Sequence, residues 1–189
     1  LKKLPGLCRD HAMPAMALTD TNNMFSALEF SVAMSGAGVQ PIIGCQVDVA
    51  YAAARPGDRP ADPAPVVLLA QSEAGYENLM RLNTCLYVDK GGQLPQVTAD
   101  ELEAAAQDVI CLTGGPDGPV GRLLRNGQAP AAQALMDRLK DIYGDRLYVE
   151  LQRHPGEDGQ PEAERLTERG FVEMAYAMDL PLVATNDVY

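Results

Sequence analysis

The residues able to carry chemistry stand at the exits of short apolar runs. Asp20 and Thr21 follow Ala15–Leu18, and Gln46 lies toward the outgoing end of the next run. Thr113-Gly114-Gly115 follows Val109–Leu112, Glu150 and His154 belong to Tyr148–His154, and Asn186-Asp187-Val188-Tyr189 follows Leu182–Ala184. In chains that alternate strand and helix, functional groups collect where the strands end. Imidazoles and carboxylates converging there can hold two or three metal ions, which generate hydroxide and clamp phosphoryl oxygens.

Each residue also has a plainer reading. Asp20 is a site residue or a helix cap beside Asn22 and Asn23, and both readings stand. His154 is read as a hydrogen-bonding loop anchor before a ligand, and His11, next to a connection, as a surface residue. Glu150 alternates with apolar neighbours. Facing inward, it needs an arginine or a hydrogen-bond network. Asn186-Asp187 also fits a turn. Cys8, Cys45, Cys85 and Cys111 form no C-x-x-C pair, and Cys45 and Cys111 lie in apolar runs as small core residues. Gly114–Gly118 lacks the G-K-[ST] ending of a phosphate loop, and no G-x-S-x-G elbow occurs.

The elements that must position these groups follow from periodicity. Ala15–Val49 reads as strand, polar turn, helix and strand, with Met24, Phe25, Leu28, Val32 and Met34 at helical spacing. Pro65–Ala70 is a strand, and Ser72 caps a helix to about Leu86. Thr98 and Glu101 have capping-box spacing. Val109–Leu112 and Leu147–Leu151 are strands, with a helix over Ala131–Tyr143 between them. A helix over Glu162–Met178, burying Leu166, Phe171 and Met174, leads to the strand Leu182–Ala184. Tyr51–Pro65 and His154–Gln160 read as connections, and Asp89–Gly92 as a turn. Six strands separated by helices predict an α/β chain with a mainly parallel sheet.

ALTDTNNMFSALEF followed by GVQPIIGCQV, with VVLLAQSEAGYENLMRL, YVELQRH and LVATNDVY in order, resembles the PHP (polymerase and histidinol phosphatase) domain of bacterial DNA polymerase III alpha subunits. The resemblance implies a distorted seven-stranded β/α barrel. Residues 1–189 would be a single domain fragment truncated at both ends, lacking the first strand with its His-x-His pair and the C-terminal part. It also implies a metal cluster in active members. At the matching positions the family's TDH reads Thr19-Asp20-Thr21, and its GCE reads Gly44-Cys45-Gln46. Its Ser-Gly-Cys reads Thr113-Gly114-Gly115, its final Asp-x-His reads Asp187-Val188-Tyr189, and Pro65 stands for a histidine. Asp187 and His154 are the ligand-capable residues left, short of the roughly four donors a zinc site takes. The vestigial positions are therefore Asp20, Thr21, Gln46, Gly115, His154, Asp187 and Tyr189, with no catalytic residue, metal or other cofactor expected.

Composition narrows the role. The 189 residues carry 15 basic and 26 acidic side chains, a net charge of -11, so weak or no direct DNA binding is expected. No apolar run is long enough to span a membrane, and the cysteine usage fits the cytoplasm. The resemblance implies a piece of the replicative polymerase, a nucleotidyltransferase, whose chemistry lies elsewhere in the parent chain. It further implies a structural role and docking of a separate proofreading exonuclease subunit. The alternatives are a working metal-dependent phosphoesterase or 3′–5′ exonuclease, and an unrelated α/β small-molecule enzyme.

Overall fold

A computed structural model describes residues 1–51, 61–88, 94–154 and 161–186. Its elements run α1 (Leu4–Asp10), β1 (Ala15–Leu18), α2 (Ala27–Gly36), β2 (Gln40–Val49), β3 (Ala64–Ala70), α3 (Glu73–Tyr87) and α4 (Ala99–Ala104). Then come β4 (Val109–Leu112), α5 (Pro119–Arg125), α6 (Ala129–Tyr143), β5 (Leu147–Gln152), α7 (Glu162–Met178) and β6 (Leu182–Thr185). The six strands lie in chain order in a mixed α/β fold, a curled half-barrel.

Local chemistry sets several boundaries. The Ser72 hydroxyl accepts the Gly75 N–H at 3.2 Å to start α3. Thr98 and Glu101 form the reciprocal capping box of α4. Helix α6 stops at Gly144, whose φ is +59°.

The sheet is less parallel than periodicity suggests. β1–β2, β4–β5 and β5–β6 are parallel, whereas β3 runs antiparallel to both β2 and β4. Strand direction is a property of the crossing connection, and a period-two or buried run reads the same in either sense. Of the proposed connection Tyr51–Pro65, residues 52–60 lie outside the described residues and Ala64 and Pro65 belong to β3, and the turn over 89–92 and the loop residues 155–160 also lie outside them.

The main core lies between β2–β5 and helices α3–α7, centred on Val47, Leu68, Leu79, Leu102, Met136, Leu147 and Phe171. Cys45 and Cys111 are fully buried within it. A smaller cluster of Cys8, Phe30, Met34 and Val39 packs α1 and α2 beside β1. Two packing expectations are corrected. On α2, Leu28 and Val32 are 77% and 67% exposed, because the helix turns Ala27, Phe30 and Met34 inward, and Phe25, in the turn before it, is 90% exposed. Leu166 is exposed too, while Phe171 and Met174 are buried as read. Both helices have apolar residues beyond one stripe, and spacing alone does not choose the buried stripe.

Candidate functional site at the strand ends

Register brings Thr21 and Gln46 together. β1 and β2 pair Leu18 with Ile43, and the same offset continues to a parallel bridge between Thr21 and Gln46. The Gln46 N–H donates to the Asp20 carbonyl at 3.1 Å, and the Gln46 carbonyl accepts the Asn22 N–H at 2.8 Å. The side chains then meet, with Gln46 Nε2 donating to Thr21 Oγ1 at 3.4 Å. A hydroxyl and a carboxamide thus share the position.

Asp20 faces the helix that follows. Its Oδ2 accepts the N–H of Ser26, the residue before α2, at 3.4 Å. Asp20 thus contacts the turn before α2 without capping it, since the N-cap residue is Ser26 and has no side-chain cap bond. Its neighbour Asn22, at φ +54°, makes a two-way bond with β2 that sequence reasoning missed. Asn22 Nδ2 donates to Asp48 Oδ2 at 2.7 Å, and the Asp48 N–H donates to Asn22 Oδ1 at 3.0 Å. Tyr87 Oη donates to the Asn22 carbonyl at 2.9 Å. The available signal was the Asn-Asn pair itself, since asparagine tolerates the left-handed region better than most residues.

Beyond β4 the chain turns tightly. Gly114 has φ +79°, and a Cβ placed there would lie 1.9 Å from the Pro65 carbonyl oxygen. Gly115 has φ +57°, and its Cβ would meet the Gln152 carboxamide at 2.9–3.2 Å. Gln152, another residue the sequence did not single out, lies over the place where a side chain at 115 would project.

Glu150 is 4% exposed and has the hydrogen-bond network its burial demands. Its Oε2 accepts the Gly114 N–H at 2.9 Å. Its Oε1 accepts the Thr185 hydroxyl in a short contact and Gln152 Nε2 at 3.4 Å. Its own N–H donates to Thr113 Oγ1 at 3.0 Å. Burial, and after it the nearby Glu150 charge, pushes the Cys111 thiol far up. Burial likewise raises Cys45, partly offset by the Asn83 side chain. Neither thiol sits in the electropositive, accessible setting that makes a cysteine nucleophilic.

His154 is held as a loop anchor. Its N–H donates to Glu164 Oε2 at 3.0 Å, and its Nδ1 lies 2.5 Å from Glu164 Oε1, on a carboxylate 4% exposed at the start of α7. The structure thus joins Thr21 with Gln46, and Gly115 with Gln152 and Glu150, while His154 turns to α7. Asp187 and Tyr189 lie outside the described residues. Among the described residues, no three His, Cys, Asp or Glu side chains come together in a way that could hold a metal ion. The hydroxyl, amide and glycine at positions 21, 46 and 115 do not fit the N, S and carboxylate donors that metal clusters use.

DNA polymerase III subunit alpha of Caulobacter vibrioides is 43% identical over 185 residues, covering 97% of this chain and 16% of that protein. The same subunit of Rickettsia bellii is 30% identical over 188 residues, covering 99% of this chain and 15% of that protein. The chain therefore spans 15–16% of the length of these relatives. Among solved structures, a protein described as a metal-dependent phosphoesterase from Bifidobacterium adolescentis aligns with TM-score 0.52 and 13% identity. That alignment covers 97% of this chain and 80% of the other, and at this identity it speaks for the fold alone. The PHP domain model matches residues 1–154, and with homology to part of the polymerase III alpha subunit across nearly its whole length, the chain belongs to the PHP domain family.

Proposed function

We propose that this chain serves as the PHP domain of a bacterial replicative DNA polymerase, with a degenerate metal site and a structural role. The observation that carries the reading is the Gln46–Thr21 hydrogen bond. Two neutral side chains satisfy each other at positions where the family resemblance calls for a carboxylate and an imidazole. Neutral donors do not balance the charge of clustered divalent ions. In this reading the domain works without a cofactor in the cytoplasm, stabilises the rest of the polymerase chain, and presents a surface to a separate proofreading exonuclease subunit. The half-barrel would be completed as a seven-stranded barrel by a strand outside this sequence. With a charge of -11, direct DNA binding would be weak.

Elemental analysis of protein purified with added zinc and manganese tests the site, alongside a phosphoester hydrolysis assay. Substoichiometric metal and no hydrolysis are expected. Two or more ions per chain, with hydrolysis abolished by Asp187→Ala, would overturn the proposal. The docking role is tested by analytical gel filtration with the exonuclease subunit of the same replicase, where co-elution is expected and separate peaks count against it.

A further inference from the structure

The Glu150 carboxylate occupies an unusual position for a buried charge. It lies on β5 and receives the Gly114 N–H from the turn after β4 and the Thr185 hydroxyl from the end of β6. Gln152, two residues further along β5, supplies a third donor. Each of these donors is neutral, and no ion pair to Glu150 forms among the described residues. A buried carboxylate is tolerated only when its oxygens are well supplied with hydrogen bonds, and such charge-assisted bonds are stronger than neutral ones.

The geometry around it leaves the turn little choice. A Cβ at Gly114 would run into the Pro65 carbonyl, Gly114 and Gly115 both take a left-handed φ, and in this tight turn the Gly114 N–H donates to the carboxylate. Thr113 closes the loop, accepting the Glu150 N–H through its hydroxyl and donating its own N–H to the Tyr148 carbonyl at 3.2 Å. Three consecutive strand ends therefore converge on one side chain.

We infer that Glu150 is the tie that holds the ends of β4, β5 and β6 together, in the role a bound metal cluster would otherwise fill. The inference rests on the reading of the site as degenerate, and it identifies the residue that keeps a metal-free strand-end face in shape. Gln152 completes the tie: its carboxamide bonds Glu150 and lies over Gly115, so a side chain at position 115 would have to displace it.

Glu150→Met keeps the side-chain length and removes both acceptor oxygens. It is expected to lower the melting temperature by roughly 5–10 °C, as the loss of buried hydrogen bonds to a charged group does in a domain of this size. The Gly114 amide should exchange with deuterium at least about tenfold faster. Thr185→Val should destabilise the wild-type protein but have little effect in the Glu150→Met background, since coupled partners are not additive. Equal effects of Thr185→Val in both backgrounds, or unchanged Gly114 exchange, would overturn the tie. Thr185 is only partly buried, so Thr185→Ser and Thr185→Val give a second test should Glu150→Met fail to fold. Serine, which keeps the hydroxyl, should melt close to wild type and valine several degrees lower, and identical melting of the two would overturn the inference. Metal analysis of the same wild-type sample separates the two claims. Stoichiometric metal would remove the degenerate-site reading, and the metal-substituting role with it, while insensitivity to these variants would remove the tie and leave that reading standing.

Discussion

Gln46 Nε2 donates to Thr21 Oγ1 across 3.4 Å, joining the exit of β1 to the middle of β2. The contact follows from register, because the offset that pairs Leu18 with Ile43 recurs in the isolated parallel bridge between Thr21 and Gln46. Two residues 25 positions apart are thereby made neighbours. The pair is partly exposed and neutral, so its contribution to stability is small, about 0.5–1 kcal/mol at most. Its interest lies in chemistry, since the same backbone geometry would hold two metal donors side by side.

Restoring those donors is therefore a direct experiment. The double variant Thr21→His, Gln46→Glu supplies one imidazole and one carboxylate, short of the roughly four ligands that zinc takes. The variant is expected to fold and to lose zinc on gel filtration. One tightly held zinc per chain would show that further ligands converge on this position.

The turn after β4 gives a sharp contrast between two glycines. Gly114→Ala drives a methyl group to within 1.9 Å of the Pro65 carbonyl oxygen, whereas Gly127, at φ +69°, has nothing within 4 Å. Gly127→Ala should cost about 1 kcal/mol, the left-handed penalty alone. Gly114→Ala should cost at least about 3 kcal/mol or prevent folding, because the backbone must move as well. Urea denaturation measures both, and similar losses would contradict the geometry of the turn.

Tyr143 is buried, and its hydroxyl is without a hydrogen-bond partner among the described residues. Desolvation raises its pKa, with the neighbouring Cys111 adding to the effect. Removing an unpaired buried hydroxyl while keeping the ring relieves a desolvation penalty. Tyr143→Phe is expected to be neutral or to stabilise by up to about 1 kcal/mol. A loss above about 2 kcal/mol in denaturant melts would reveal a partner for the hydroxyl.

Alkaline stability follows from the buried thiols. Burial raises Cys111 above its ordinary value of 9.0, and burial also raises Cys45. The folded state then holds these protons more tightly than the unfolded state does. Their contribution is fully present below pH 9 and is lost as pH climbs above it toward the folded values. Denaturation free energy should be level between pH 7 and 8.5 and fall by pH 10. Cys111→Ala should flatten part of that fall, and an unchanged slope would count against the thiol. In native alkylation at pH 8, Cys85 should react before Cys8, Cys45 and Cys111, which are buried.

What the sequence determined by itself was chiefly local. The Ser72 cap, the Thr98–Glu101 capping box and the stop at Gly144 were legible because each depends on residues a few positions apart. The six strands were legible from apolar runs, and the family from motifs in order. The site positions could be named by resemblance, and the need of Glu150 for a network followed from its place in an apolar strand.

Tertiary structure decided the rest, because the deciding contacts join residues distant in sequence. Gly114 and Thr185 reach Glu150 from 36 and 35 positions away, and Gln152 reaches Gly115 only after β4 and β5 pair. The antiparallel course of β3 depends on how its connections cross, which strand periodicity does not encode. The exposure of Leu28 and Val32 depends on which stripe of α2 meets α1 and β1, and a helix apolar on several faces leaves that choice to packing.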